Sequence, residues 1–272
     1  MEELLRANDG FDLSSVDPGS TPGFSGRKAD GEKALELGLG ELATLQEKLF
    51  AESRFGGTRS VLLILQAMDT AGKGGIVDHV LGETNPQGVK AFAFKAPTAE
   101  EMEHDFLWRI RKQLPPAGYI GVFDRSHYED VLIHRVRGFS TPEVIEERYG
   151  LINEFERELE ASGTTVIKVM LHISKDEQKS RLQARLDDPD KHWKFNPGDL
   201  DERARWDDYQ QAYQVAIERT GDVPWHVVPA DHKWYARLAV QRLLLEAMRE
   251  LRLEWPKADY DVDEQKARLA DS

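Results

Sequence analysis

Cysteine is missing from all 272 residues. Its absence excludes disulfides and thiolate metal sites. Long apolar runs are missing too, since none approaches the roughly 18 residues that a membrane span requires. The first residues hold no basic stretch followed by an apolar one, the mark of a secretory signal. A cytoplasmic chain that does not enter a membrane is therefore expected. Positive charge is scarce, with 36 Lys and Arg against 49 Asp and Glu and a net charge of −13. General nucleic-acid binding uses a basic face and is not expected. A phosphate-rich ligand stays open, provided the cations gather in one cleft inside an acidic exterior.

What is present suits a core under a charged surface, with 40% hydrophobic and 31% charged residues. No internal repeat or low-complexity linker divides the chain. Residues 1–31 read as an N-terminal arm, irregular because 17–23 holds two Pro-Gly pairs, with Leu13 and Phe24 as candidate anchors. Residues 32–255 form the main domain and 256–272 a polar tail. Leu35, Leu39, Leu42, Leu45, Leu49 and Phe50 recur at helical steps and predict a helix over 31–53. Apolar runs at 61–65, 91–94, 119–123, 165–172 and 224–228 predict five strands. Helices are predicted between and after them at 76–81, 99–114, 142–161, 175–186, 200–220 and 234–253. Thr98 with Glu101, and Ser174 with Glu177, read as capping boxes. Strands alternating with helices imply an α/β fold whose mostly parallel five-stranded sheet is covered on both faces. Ligands in such folds bind beyond the carboxyl ends of the strands.

The first strand, Val61–Leu65, runs into Ala67-Met-Asp-Thr-Ala-Gly-Lys-Gly-Gly75 and then a helix. Strand, Gly-rich turn with one lysine, and helix make the layout of a phosphate-binding P-loop (Walker A). Backbone N–H groups of Thr70, Ala71, Gly72, Gly74 and Gly75 can wrap a phosphate, and Lys73 can cap it. Two positions depart from G-x-x-x-x-G-K-[ST]. Ala67 replaces the first glycine and Gly74 replaces the hydroxyl residue that binds Mg²⁺. Another side chain must then hold the metal, and Asp69 within the loop is the candidate.

Asp124 ends the third strand, the place of a Walker B aspartate. Asp69 and Asp124 together can hold Mg²⁺, with Mn²⁺ as the alternative ion. A helix cap or a partner for Arg125 is the other reading of Asp124. Arg125 follows directly and would face the transferring group; a structural pair with Glu129 is its alternative. Glu129 itself counts among the nucleotide-site candidates. Arg109 is open between a phosphate contact and an ion pair with Asp105, four residues earlier. His127 reads as scaffold, because in-line transfer needs no covalent step. Arg181, Arg185 and Lys194 bracket a lid at about 181–210 that would close over phosphates. The six acidic residues within 179–205 leave a solvated charged surface as the competing reading.

The segments Gln66–Gly75, His104–Arg109 (HDFLWR) and Phe123–Val131 (FDRSHYEDV) resemble the family-2 polyphosphate kinases. So do the arm from Asp17 to Phe24 and Trp225–Lys233, and the likeness runs from about residue 15 to 250. Tyr128-Glu-Asp130 is similar to the subgroup acting on nucleoside mono- and diphosphates. The resemblance implies a three-layer α/β/α P-loop kinase fold with a helical lid. It implies Mg²⁺-dependent transfer between inorganic polyphosphate and adenine or guanine nucleotides. It also implies Asp69 and Asp124 at the metal, Lys73 and Arg125 at the phosphates, and homodimers or homotetramers. An ATP-dependent kinase and a non-catalytic polyphosphate- or nucleotide-binding module remain the competing activities.

Overall fold

The computed structural model describes residues 1–272. The arm opens with α1 (Glu2–Leu5), and α2 (Lys28–Ser53) is the first long helix. β1 (Ser60–Ala67) leads through the Gly-rich loop into α3 (Lys73–Val80). After β2 (Val89–Ala93) come two single turns, α4 (Ala99–Met102) and α5 (Trp108–Arg111), and then β3 (Ile120–Asp124). Next are α6 (Ile133–Arg137), α7 (Pro142–Ala161) and β4 (Thr164–His172). α8 (Lys175–Asp187), α9 (Gly198–Ala204) and α10 (Trp206–Arg219) precede β5 (Trp225–Pro229). α11 (Lys233–Glu250) and α12 (Val262–Ala270) close the chain.

All four strand pairings are parallel, in the order β2-β3-β1-β4-β5. β1 is buried along its whole length and β4 at all but one residue. Strands covered on both faces read as continuous apolar runs, and this is why they stood out in the sequence. On one face α11 packs against α2 and α3; on the other lie α7 and α10. Gly31 lets α2 approach α11 closely, because a Cβ there would overlap the Trp234 ring. From the central β1 the sheet grows to one side with β3 and β2 and to the other with β4 and β5. A crevice opens at such a divergence, beyond the carboxyl ends of the strands. The Gly-rich loop and Asp124 both stand there, with Leu65 of β1 paired to Asp124 of β3.

Four expectations change. The predicted 99–114 helix is broken, because Asp105 Oδ1 accepts from Leu107 N (3.0 Å) and so replaces a helical bond. The predicted 200–220 helix divides at Arg205, whose φ of −100° and ψ of 26° leave the helical region. Ser174 caps α8 through Glu177 N, but the Glu177 carboxylate turns to Arg181 and completes no box. The polar tail contains α12, none of whose residues is buried.

The arm is an ordered wrap. Leu5 and Leu13 are buried, and Phe24 stands edge-on to Trp234 at 5.7 Å. Arg6 bridges His226 antiparallel, and Ala7 N donates to Trp225 O (2.9 Å). The arm thus covers the free edge of β5, which would otherwise expose unpaired backbone groups. No helix is long and apolar enough to cross a membrane.

Candidate active site

Residues 67–73 turn sharply between β1 and α3. Gly72 caps α3 with φ 116°, which a side chain tolerates poorly, so glycine is required there. Thr70 is held at φ 66° without that freedom. A left-handed non-glycine costs of order 1 kcal/mol, so neighbouring contacts must fix it. They come from α8. Gln178 Nε2 donates to Asp69 O (3.1 Å), and Arg181 Nη1 donates to Thr70 O (3.1 Å) and Ala71 O (2.9 Å).

Lys73 is almost buried. Its Nζ lies 3.5 Å from Ala67 O and 3.7 Å from Asp124 Oδ1, so the ammonium folds back over the loop towards the end of β3. Asp124 does not serve as a helix cap. Arg125 has φ 64°, and this sharp turn sends its guanidinium to Asp69, where Nη2 donates to Oδ1 at 2.8 Å. The alternative partner, Glu129, has no oxygen within 4 Å of that guanidinium, although its charge acts on it. Burial opposes the charge on Arg125, but Glu129, Asp69 and Asp124 outweigh it and hold the guanidinium charged. With its amide in the orientation that satisfies both neighbours, Gln66 donates its nitrogen to Glu129 Oε1 and accepts from Ser126 N, both at 3.0 Å. Burial raises the Glu129 carboxyl above its ordinary range even so.

Two cavities flank this loop. The larger, of about 670 Å³, lies on the Asp69–Arg125 side. Phe94, Met102, Leu132, Ile133, Phe139, Tyr209 and Tyr213 give it an apolar and aromatic wall. Arg109, Glu129, Asp199 and Glu202 supply charge. Arg109 is nearly buried and does not pair with Asp105. Its guanidinium donates to Lys95 O (2.8 Å) and faces Glu101 (3.9 Å) and Asp130 (3.8 Å).

The second cavity, of about 410 Å³, lies on the side of Thr70, Ala71, Gly72 and Gly75. Arg181, Arg185, Lys191, Lys194, Lys233 and Arg237 line it, against two acidic residues, Asp78 and Glu177. Within an acidic protein, the cations gather here. Burial, with Arg181 and Arg237 nearby, pushes the Lys233 ammonium below its ordinary value. Such crowding of like charges is relieved by an anion.

The lid candidates therefore separate. Arg185 Nη1 donates to Lys194 O (2.9 Å) and stands 3.5 Å from Asp199 Oδ2, while Lys194 is exposed over the Trp193 ring. Arg181 is spent on the protein itself: every guanidinium nitrogen already has a partner. The expectation of a mobile phosphate-closing arginine does not match that geometry. His127 is fully buried with Nε2 on Glu156 (3.2 Å), where no phosphate reaches it.

The profile described as Polyphosphate kinase 2 matches residues 26–255. The chain belongs to the polyphosphate kinase 2 family. The AMP/ADP-polyphosphate phosphotransferase of Meiothermus ruber is 45% identical over 251 residues, covering 92% of each chain. The ADP-polyphosphate phosphotransferase of Rhodopseudomonas palustris is 43% identical, covering 90% of this chain and 86% of that one. The crystal structure of polyphosphate kinase 2 from Arthrobacter aurescens TC1 superposes with a TM-score of 0.97 at 62% identity. It covers 99% of this chain and 96% of that one. A member of this family is a phosphotransferase with the P-loop kinase fold, as the sheet order and the loop already indicated.

Lys233, Arg237 and Lys191 did not emerge as site residues from the sequence. A signal existed for the first two. They stand four apart at the start of the helix that follows a strand end, so both face the crevice.

Proposed function

We propose that the two cavities hold the two substrates of one transfer, polyphosphate over the basic cavity and a nucleotide in the aromatic one. The observation that carries this is their opposite character on either side of the P-loop. An acceptor phosphate oxygen attacks the terminal phosphorus, the anhydride P–O bond breaks, and the shortened polyphosphate leaves with the electron pair. Two phosphate charges about 4 Å apart repel by roughly 4 kcal/mol at an effective dielectric near 20. Lys73 and Arg125 sit where that charge gathers and would stabilise the transfer. The loop N–H groups from Thr70 to Gly75 would orient the donor. The burial of His127 favours direct in-line transfer over a phosphohistidine step.

The carboxylates fit Mg²⁺. One oxygen of Asp69 is taken by Arg125 and one of Asp124 faces Lys73, leaving Oδ2 of each without a bond. No group of three or more His, Asp or Glu gathers as a cage. Two carboxylates are what Mg²⁺ takes when phosphate and water oxygens complete its shell. Such an ion would neutralise phosphate charge, and Mn²⁺ could replace it.

The donor side argues against ATP as donor. Its four apolar lining residues are Ala71, Ile76, Ala184 and Ala236, and it has no Phe, Tyr or Trp on which a base could stack. The acceptor side has Phe94, Phe139, Tyr209 and Tyr213 for that purpose. AMP and ADP are the proposed acceptors, in line with the names of the relatives. Guanine nucleotides are the next to try. A cytoplasmic homodimer or homotetramer completes the reading.

The test offers polyphosphate and Mg²⁺ with each of AMP, ADP, GMP and GDP, and identifies products. ADP and ATP are expected from AMP and ADP. No product with any nucleotide would refute the assignment, and binding without turnover would point to a binding module. Product formed only when ATP replaces polyphosphate would point to an ordinary kinase.

A further inference from the structure

Three consecutive carbonyls of the P-loop, those of Asp69, Thr70 and Ala71, are held by two side chains of α8, Gln178 and Arg181. The two residues are three apart on one helix face. Pinning these carbonyls on one side leaves the following N–H groups fixed in direction, and that is what an anion-binding nest requires. Arg181 braces this grip elsewhere. Its Nη2 donates to Ala230 O (2.7 Å) and Asp231 O (2.9 Å), just beyond β5, and its Nε to Glu177 Oε1 (2.7 Å).

The brace is itself fixed by the N-terminal arm. Asp231 N donates to Pro18 O (3.1 Å), and Tyr235 OH donates to Pro22 O (2.7 Å). Asp231 Oδ1 accepts from Ser174 N (2.7 Å), tying the same turn to the start of α8. A continuous path therefore runs from arm to turn to Arg181 to P-loop. The arm up to residue 25 lies outside the family match.

We propose that Arg181 is a positioning residue that sets the P-loop backbone for transfer, and that the arm serves the reaction by holding the turn against which Arg181 braces. The assignment rests on the proposed reading of the P-loop as the cradle of the transferred phosphates. Arg181 needs its planar fork for this, since four carbonyls are reached from two nitrogens. A lysine has the charge but not the fork. A direct phosphate ligand would behave in the opposite way, tolerating lysine and reporting through the polyphosphate KM.

The test compares Arg181→Lys, Tyr235→Phe and Arg185→Lys with the parent chain. Amide hydrogen exchange over residues 69–75 is followed without substrate, and kcat and KM are measured with polyphosphate and ADP. Arg181→Lys should speed exchange in that loop at least about tenfold, as local opening becomes easier. It should also lower kcat by about 10- to 100-fold, the scale of a misplaced reacting group, with little change in the polyphosphate KM. Tyr235→Phe should move both readouts in the same direction by less, and Arg185→Lys should leave loop exchange as it was. Unchanged loop exchange in both Arg181→Lys and Tyr235→Phe would overturn the proposal. So would an Arg181→Lys variant with parental kcat. Faster exchange in a chain that proves inactive on polyphosphate would uphold the brace and reject the substrate reading.

Discussion

Lys73 Nζ stands 3.7 Å from Asp124 Oδ1, so the first turn of α3 and the last residue of β3 meet across the crevice. On the proposed reading the two act on one locus of charge. Lys73→Ala and Asp124→Ala should each lower turnover by at least about 10², the loss expected when a transition-state charge stabiliser goes. The double variant should lose less than the product of the two, as residues working as a unit do. Steady-state kcat with polyphosphate and ADP is the measurement, and a near-parental rate in either single variant would remove that residue from the mechanism.

Asp69 is held by Arg125 at 2.8 Å through Oδ1, which leaves its second oxygen without a hydrogen bond. Asp69→Asn keeps the shape and removes the charge. The half-saturating Mg²⁺ concentration should rise by about tenfold or more, in the range seen when a metal's carboxylate environment is disturbed. Binding of Mn²⁺ to the nucleotide-free protein, followed by paramagnetic resonance, should weaken in parallel. Unchanged metal dependence would leave Asp69 as a partner for Arg125 alone.

The sheet was legible because β1 and β4 are buried on both faces and so carry unbroken apolar runs. The exposed edge strand β2 was placed two residues late at its start, having a weaker pattern. The P-loop was legible from spacing, and the site at Asp124 followed from its place at a strand end. What escaped depended on side chains bonding back to the main chain. Asp105 breaking a helix and Arg181 gripping the P-loop carbonyls leave no periodic trace. The arm was read as irregular, but it carries the short helix α1 and a bridge to β5. Its ordering comes from contacts with residues more than 200 positions away, such as Pro22 with Tyr235.

The core holds a charged pair that the reaction does not use. Lys168 Nζ donates to Glu156 Oε2 at 2.7 Å with neither side chain exposed, and also to Tyr128 OH (2.9 Å) and Thr220 O (2.6 Å). Burial alone would raise the Glu156 carboxyl; Lys168 and His127 outweigh it and hold it below its ordinary value. Lys168→Met should destabilise the chain by about 3–5 kcal/mol, because it strands a buried carboxylate. Adding Glu156→Leu should recover part of the loss, since the stranded charge is then gone. Denaturant unfolding of the two variants decides it, and a double variant less stable than Lys168→Met would refute the account.

His226 on β5 lies under the arm, buried, with no hydrogen-bond partner on either ring nitrogen. Burial, with the Arg6 and Lys168 cations nearby, pushes its pKa down from 6.5 to about 4; Glu2 Oε1, 3.9 Å away, is the one acidic group close to the ring. The folded chain therefore keeps the ring neutral where the unfolded chain takes a proton. Above pH 6.5 the group costs nothing. As pH falls from 6.5 towards 4, stability is lost progressively, reaching about 3 kcal/mol for a shift of roughly 2.5 units. His226→Phe removes the titrating group and keeps a ring in the space. Unfolding free energies measured between pH 7 and pH 4 should fall less steeply for the variant, by up to about that amount. Parallel curves for the two proteins would show that the ring is protonated in the folded state as readily as in the unfolded one, with Glu2 as the group that accepts its charge.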